Sequence, residues 1–183
     1  MLRRIILAPL LAVLLVLGNL GLVQAGSVSG EVFGEAYWLL EESTVIQPIE
    51  PNGVSGWYRD QITLPYEGVL VLPTGPVEVS GDTTLRRVFN QTFLDYVVAL
   101  DTGDIDGVLT NGDWDGIVVG PQTLSFDSVT CEGQVVGFFG PGFQSPATSN
   151  LRCSDGAKLT LVYNGSPELL GSGFDDITGS IRW

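Results

Sequence analysis

The chain contains no histidine. That one absence removes the Ser-His-Asp triad, the Cys-His dyad, histidine zinc sites and histidine general-base catalysis together. Lysine is almost as scarce: Lys158 is the only one, so a Schiff-base or Ser-Lys mechanism would have to rest on it, and nothing beside it suggests one. No Gly-rich loop leads into Lys-Ser or Lys-Thr and no strand runs into a dinucleotide fingerprint, which sets nucleotide chemistry aside. Basic residues are few altogether, with 8 Lys and Arg against 21 Asp and Glu and a formal net charge of −13. Such a surface repels nucleic acid and anionic membranes and attracts cations or basic partners.

Long apolar runs are confined to the start. Arg3 and Arg4 precede an apolar stretch from Ile5 to Leu17, and Val23-Gln24-Ala25 offers small residues for a peptidase. This is the three-part pattern of a secretory signal, and the stretch, interrupted by Pro9, is short for a membrane span. The expectation is a signal peptide over 1–25 and a single β-rich domain over 26–183. That domain has an ordinary size for one core. Losing Arg3 and Arg4 makes it more acidic still.

Cysteine is limited to Cys131 and Cys153. In an oxidising compartment a lone pair at this spacing forms one intrachain disulfide, worth about 3 kcal/mol on the chain-entropy estimate. A metal site built on them would lack further ligands.

What is abundant is turn chemistry. Gly, Pro, Asn and Asp recur at short intervals between apolar and β-branched runs, the pattern of short strands joined by turns. Val28 to Leu40 alternates, with Val28, Gly30, Val32, Gly34, Ala36, Trp38 and Leu40 on one face. Further strands are expected at Gln61–Leu64, Gly68–Leu72, Pro76–Ser80, Gly116–Val119, Thr123–Val129, Gln134–Phe139, Lys158–Tyr163 and Ile177–Trp183. The fold class expected is mainly β, an antiparallel sandwich or small barrel. One amphipathic helix is expected over about 83–100, because Leu85, Val88, Phe89, Phe93, Tyr96, Val97 and Leu100 recur on one helical face. Asp82 or Thr83 would cap it and Gly103 would end it. The competing reading is a pair of strands, favoured by Tyr96-Val97-Val98.

Between Arg87 and Arg152 no Lys or Arg occurs, and the densest acidic stretch, Asp101 to Gly116, reads DTGDIDGVLTNGDWDG. Asn111, Asp113, Asp115 and Gly116 match the first half of a calcium loop, in which alternate side chains aim oxygens at one hard cation and the next carbonyl, that of Ile117, adds another. Gln122 stands where an EF-hand needs its bidentate Glu, so Asp101, Asp104 or Asp106 would have to complete the shell. Calcium is the one cofactor the sequence offers, and it competes with the plain reading of Asn111-Gly112 and Asp115-Gly116 as hairpin turns, which explains the same residues without an ion.

Trp38, Trp57, Trp114 and Trp183, with Tyr37 and Tyr58, could offer a sugar a stacking surface. Ile177, Gly179, Ile181 and Trp183 alternate as the last strand of an outer-membrane barrel does. The function expected is an exported, non-catalytic β-rich binding or structural module at the cell surface or in the periplasm. Its partner would be a protein or carbohydrate ligand. The alternatives are a carbohydrate-active enzyme using paired carboxylates, which needs only two Asp or Glu, and a small outer-membrane barrel.

Overall fold

A computed structural model describes residues 29–103, 113–139, 147–164 and 174–183. Nine strands follow one another: β1 (Ser29–Trp38), β2 (Thr44–Pro51), β3 (Trp57–Leu72), β4 (Gly75–Asn90), β5 (Gly116–Phe126), β6 (Val129–Phe139), β7 (Ala147–Cys153), β8 (Lys158–Asn164) and β9 (Phe174–Arg182). A short 3-10 turn, Leu40–Glu42, separates β1 from β2, and α1 (Gln91–Thr102) follows β4. Every pairing is antiparallel, and β1 bonds to both β9 and β3, so eight strands close into a barrel and β2 continues along β3 where β1 leaves it. Of the two β architectures the sequence allows, this is the barrel.

Closure depends on two glycines. The barrel is small enough that β1 and β3 coil tightly where they meet. A Cβ on Gly34 would stand 2.2 Å from the Val69 carbonyl oxygen, and one on Gly68 would stand 2.1 Å from that of Glu35. No side chain fits at that contact, which is why glycine occupies inward positions of otherwise apolar strands.

Alternation decides which residues fill the interior. Val32, Leu70, Leu124, Leu151, Leu159, Leu161 and Ile181 all point in and are buried, and Cys131 and Cys153 join them. Charged residues stand outward and exposed on every barrel strand but β5, among them Glu31, Glu67, Glu78, Glu132, Arg152, Lys158 and Asp176. An apolar inside with a charged outside is the reverse of a barrel that faces lipid. Among the described residues no helix is long and apolar enough to cross a membrane.

Several expected strands merge. Gln61–Leu64 and Gly68–Leu72 are one strand, β3, which passes through Pro65. Proline is tolerated there because it lies between the last β1 pair, Trp38 with Tyr66, and the first β2 pair, Thr44 with Thr63, so no ladder bond needs its N–H. Gly116–Val119 and Thr123–Val129 likewise join into β5, apart from the turn at Asp127-Ser128. Strands β2 and β7 were not expected.

The helix exists, but it starts at Gln91 instead of Thr83. Leu85, Val88 and Phe89 belong to β4, which pairs with β3 in unbroken register from Gly75–Leu72 to Asn90–Trp57. Sixteen consecutive cross-strand pairs outweigh a helical period only a few residues long. Asn90 marks the change: its side-chain oxygen accepts the Phe93 backbone N–H at 3.1 Å, an N-cap bond.

Strands β3 and β4 therefore overshoot the barrel, and β2 lies beside the overhang. This arm carries a second apolar cluster under α1, formed by Phe89, Phe93, Tyr96 and Trp114 with Tyr58 at its edge. Phe93 and Trp114 meet edge to face with centroids 5.2 Å apart, and Tyr96 lies 4.3 Å from Trp114.

Candidate functional site

The outer face of β1, β3 and β4 combines features found nowhere else among the described residues. Pairing places Phe33 opposite Val71, Glu35 opposite Val69 and Tyr37 opposite Glu67, and on the far side Val69 faces Glu78 and Val71 faces Pro76. All of these side chains point away from the barrel, since strand alternation has committed the other parity to the core. Four apolar side chains are consequently left in water: Phe33 is 51% exposed, Tyr37 45%, Val69 44% and Val71 46%. Covering them would contribute roughly 1 kcal/mol each at about half their area.

Carboxylates frame this stripe. Glu35, Glu67 and Glu78 stand within it or beside it, and Glu35 pairs across β9 with Asp176. The stripe runs into a shallow groove of about 850 Å³ whose walls include Tyr37, Glu67, Val69, Glu78, Ser125 and Asp127, with no Lys or Arg among its lining residues. Asp127 is held there by the β5–β6 turn, where its φ of 49° is one that aspartate tolerates better than most residues. The groove thus sets apolar side chains beside three carboxylates, with no base among its lining residues.

A second apolar area lies on β5 and β6, where Ile117 faces Phe138 and Val119 faces Val136. Its cross-strand neighbours are Arg86, Val88 and Thr148, and it has no acidic frame.

Inside the barrel a polar belt lies above the aliphatic core. Gln122 donates to the Tyr163 hydroxyl at 2.7 Å, Ser149 donates to the Gln122 side-chain oxygen, and Tyr66 donates to the Thr123 carbonyl at 2.7 Å. Burial pushes the Tyr163 hydroxyl up to about 12 and raises that of Tyr66 as well, so both stay protonated. Ser149 has an amide as its partner, and an amide cannot take its proton, so this is a packing network and not an activated nucleophile. Trp38 closes the belt from above, with its ring centroid 5.1 Å from Tyr66 and 5.7 Å from Tyr163, and donates from Nε1 to Asp175 at 2.7 Å. Burial pushes the Asp175 carboxyl up to about 6, against the lowering effect of the Trp38 bond, and Asp176 adds to the rise.

Near the arm, Arg87 and Asp60 form a buried, two-pronged ion pair directly across β3 and β4, with Nε to Oδ1 at 2.8 Å. The guanidinium also lies 5.7 Å from the ring centroids of Phe89 and Phe93.

The residues singled out from the sequence are scattered. Cys131 and Cys153 pair as expected, directly opposite each other on β6 and β7 with S–S at 2.02 Å. Asp113 and Asp115 are exposed, and their backbone carbonyls accept from the side chain and backbone of Asn90 at 2.7 and 2.9 Å. Ile117 lies in β5, paired with Val88. Asp101 lies in the last turn of α1, while Asp104, Asp106 and Asn111 lie outside the described residues. Among the described residues no three His, Cys, Asp or Glu side chains gather as a metal would require. Nor do the aromatics form one platform: Trp38 faces into the barrel, Tyr37 faces out, Trp114 is buried under α1 and Trp183 ends the chain beyond β9.

The outer groove was not found from the sequence. Its one local signal is the alternation of Glu31, Phe33, Glu35 and Tyr37, in which the outward face of β1 mixes acidic with aromatic residues. Compared with protein-family models, curated proteins and solved structures, the chain matches none.

Proposed function

We propose that residues 1–25 export the chain and that the remainder works outside the cytoplasm as a non-catalytic binding module, docking its ligand on the outer face of β1, β3 and β4. The carrying observation is the run of four half-exposed apolar side chains, Phe33, Tyr37, Val69 and Val71, framed by carboxylates that the apolar area on β5 and β6 lacks. Apolar stripes of this kind with a polar frame mark interaction surfaces. A single disulfide in a chain with a secretory pattern fits an oxidising compartment.

Two measurements test the reading. Processed protein recovered from an expressing cell should begin at Gly26 and carry the oxidised Cys131–Cys153 pair; a retained leader with free thiols removes export. A photo-crosslinking residue at position 33 should yield a discrete adduct in the cell envelope or medium, and one at the exposed outward position 134 should not. Equal or absent adducts at both positions would remove the docking face.

Calcium enters this reading as a structural ion of the acidic segment from Asp101 to Ile117. It is expected to raise the unfolding midpoint of the mature protein, and Asp113→Ala with Asp115→Ala should cancel the rise. A midpoint indifferent to both calcium and chelator eliminates the ion.

A further inference from the structure

We infer that the partner docked on the outer face is a cationic peptide segment of another protein, with Arg or Lys residues flanking a short apolar core. This rests on the docking reading above and adds the partner's chemistry. The stripe is bordered by carboxylates on both flanks: Glu67, Glu78 and Asp127 toward the groove, and Glu31, Glu35 and Asp176 toward β9. No Lys or Arg lines the groove beside Glu67, Glu78 and Asp127, although the chain does supply such partners elsewhere, as Arg59 does for Glu50 at 2.6 Å; on the β9 flank Arg182, opposite Ser29, lies beyond Glu31 at the far end of the stripe.

An anionic ligand would be repelled from both flanks. A purely apolar one would cover the stripe but leave its carboxylate frame partly desolvated and uncompensated. A segment with basic residues on both sides of apolar ones satisfies both requirements. Its apolar side chains cover Phe33, Val69 and Val71 while its long basic side chains lie outward over the stripe and end at the carboxylates. Phe33 and Tyr37, four residues apart on β1, span about 13 Å, so a few extended residues are enough to cross the stripe. The net charge of −13 acts in the same direction at long range, steering a basic partner toward the barrel.

The test is titration of the isotope-labelled, oxidised mature protein with three seven-residue peptides that share a Leu-Val-Leu core flanked by two Arg, two Gln or two Glu on each side. The Arg peptide should move the amide signals of residues 33–37 and 67–80, and its affinity should fall steeply with added salt. The Gln peptide should bind about tenfold more weakly or worse, and the Glu peptide not at all. Glu67→Gln with Glu78→Gln should weaken the Arg peptide several-fold without altering the unfolding midpoint, and Phe33→Ser should abolish its binding.

If the Gln peptide binds as well as the Arg peptide, and Phe33→Ser still abolishes binding, the face is a docking site but its partner is not cationic. If no peptide shifts those signals, or if Phe33→Ser leaves binding intact, neither reading stands.

Discussion

The barrel interior and the arm solve the same problem in different ways. In the barrel, a closed ring of strands surrounds aliphatic side chains, so burial is nearly complete and most of the ladder is paired on both edges. In the arm, β3 and β4 run on after the ring has ended, and one face of their overhang would be exposed. That face is covered by a 12-residue helix through four buried aromatics. The arm continues from the barrel through the unbroken β3–β4 register and the β4–β5 ladder, and one buried ion pair, Arg87 with Asp60, braces it across β3 and β4. Many interchangeable contacts hold the first core, whereas a few large and specific ones hold the second. A sheet longer than its barrel therefore needs an additional core, and that core is the more vulnerable of the two.

The largest effect expected follows from this asymmetry. Arg87→Ala strands the buried Asp60 carboxylate and takes the guanidinium from Phe89 and Phe93, a loss of about 3–5 kcal/mol. Joint replacement by Leu at 60 and Met at 87 should recover most of it. Chemical denaturation of both variants checks this. Full destabilisation in the double variant would mean that the ion pair contributes more than charge compensation.

Replacing both Cys131 and Cys153 by Ala should cost about 3 kcal/mol for a loop closed by residues 22 apart. This loss falls on the barrel. It should lower the global unfolding midpoint while the near-ultraviolet signal of the arm aromatics disappears in the same transition. Two separate transitions would show that the cores unfold independently.

Asp175 should impose a pH dependence of defined sign. Its folded-state value of about 6 lies above the ordinary 3.8, so the folded chain holds this proton more tightly than the unfolded chain does. The resulting stabilisation is complete below about pH 3.8 and is lost as the pH rises through about 6. Asp175→Asn should therefore be more stable than the parent at pH 7 by up to about 3 kcal/mol and nearly equal to it at pH 4. A gain of the same size at both pH values would refer the effect to packing under Trp38.

The smallest effect expected is at the N-cap. Asn90→Ala removes the bond to the Phe93 N–H and the one donated to the Asp113 carbonyl, at a cost of about 1 kcal/mol. Amide exchange should accelerate in α1 and remain unchanged in β6 to β8. Acceleration throughout would show that the helix and the barrel open together.

Strict alternation was readable wherever it ran unbroken. Val28–Leu40 anticipates β1 and Lys158–Tyr163 anticipates β8 to within two residues at each end, and Ile177–Trp183 anticipates all of β9 but its first three residues. β2 was concealed by Pro48 and Pro51 and by register shifts around Gln47, since it lies along β3 as an edge and needs few ladder bonds. β7 was concealed because its residues, Ala147 to Cys153, are mostly small or polar. It is a strand because β6 and β8 both pair with it. Of the groove only the β1 side left a trace, because Val69, Glu78 and Asp127 reach Tyr37 across three other strands.

Local chemistry by itself determined the β character, the inward and outward parity of the long strands, the disulfide partners, the acidic balance and the absence of histidine chemistry. Each depends on composition or on a period of two residues, which a chain carries wherever it folds. Tertiary structure alone decided the closure of the barrel through Gly34 and Gly68, the conversion of Leu85–Phe89 from a helical face to a strand, and the meeting of an apolar stripe with carboxylates from several strands. Each of these depends on which strand lies beside which, and that is set by cross-strand pairing between residues far apart in the chain.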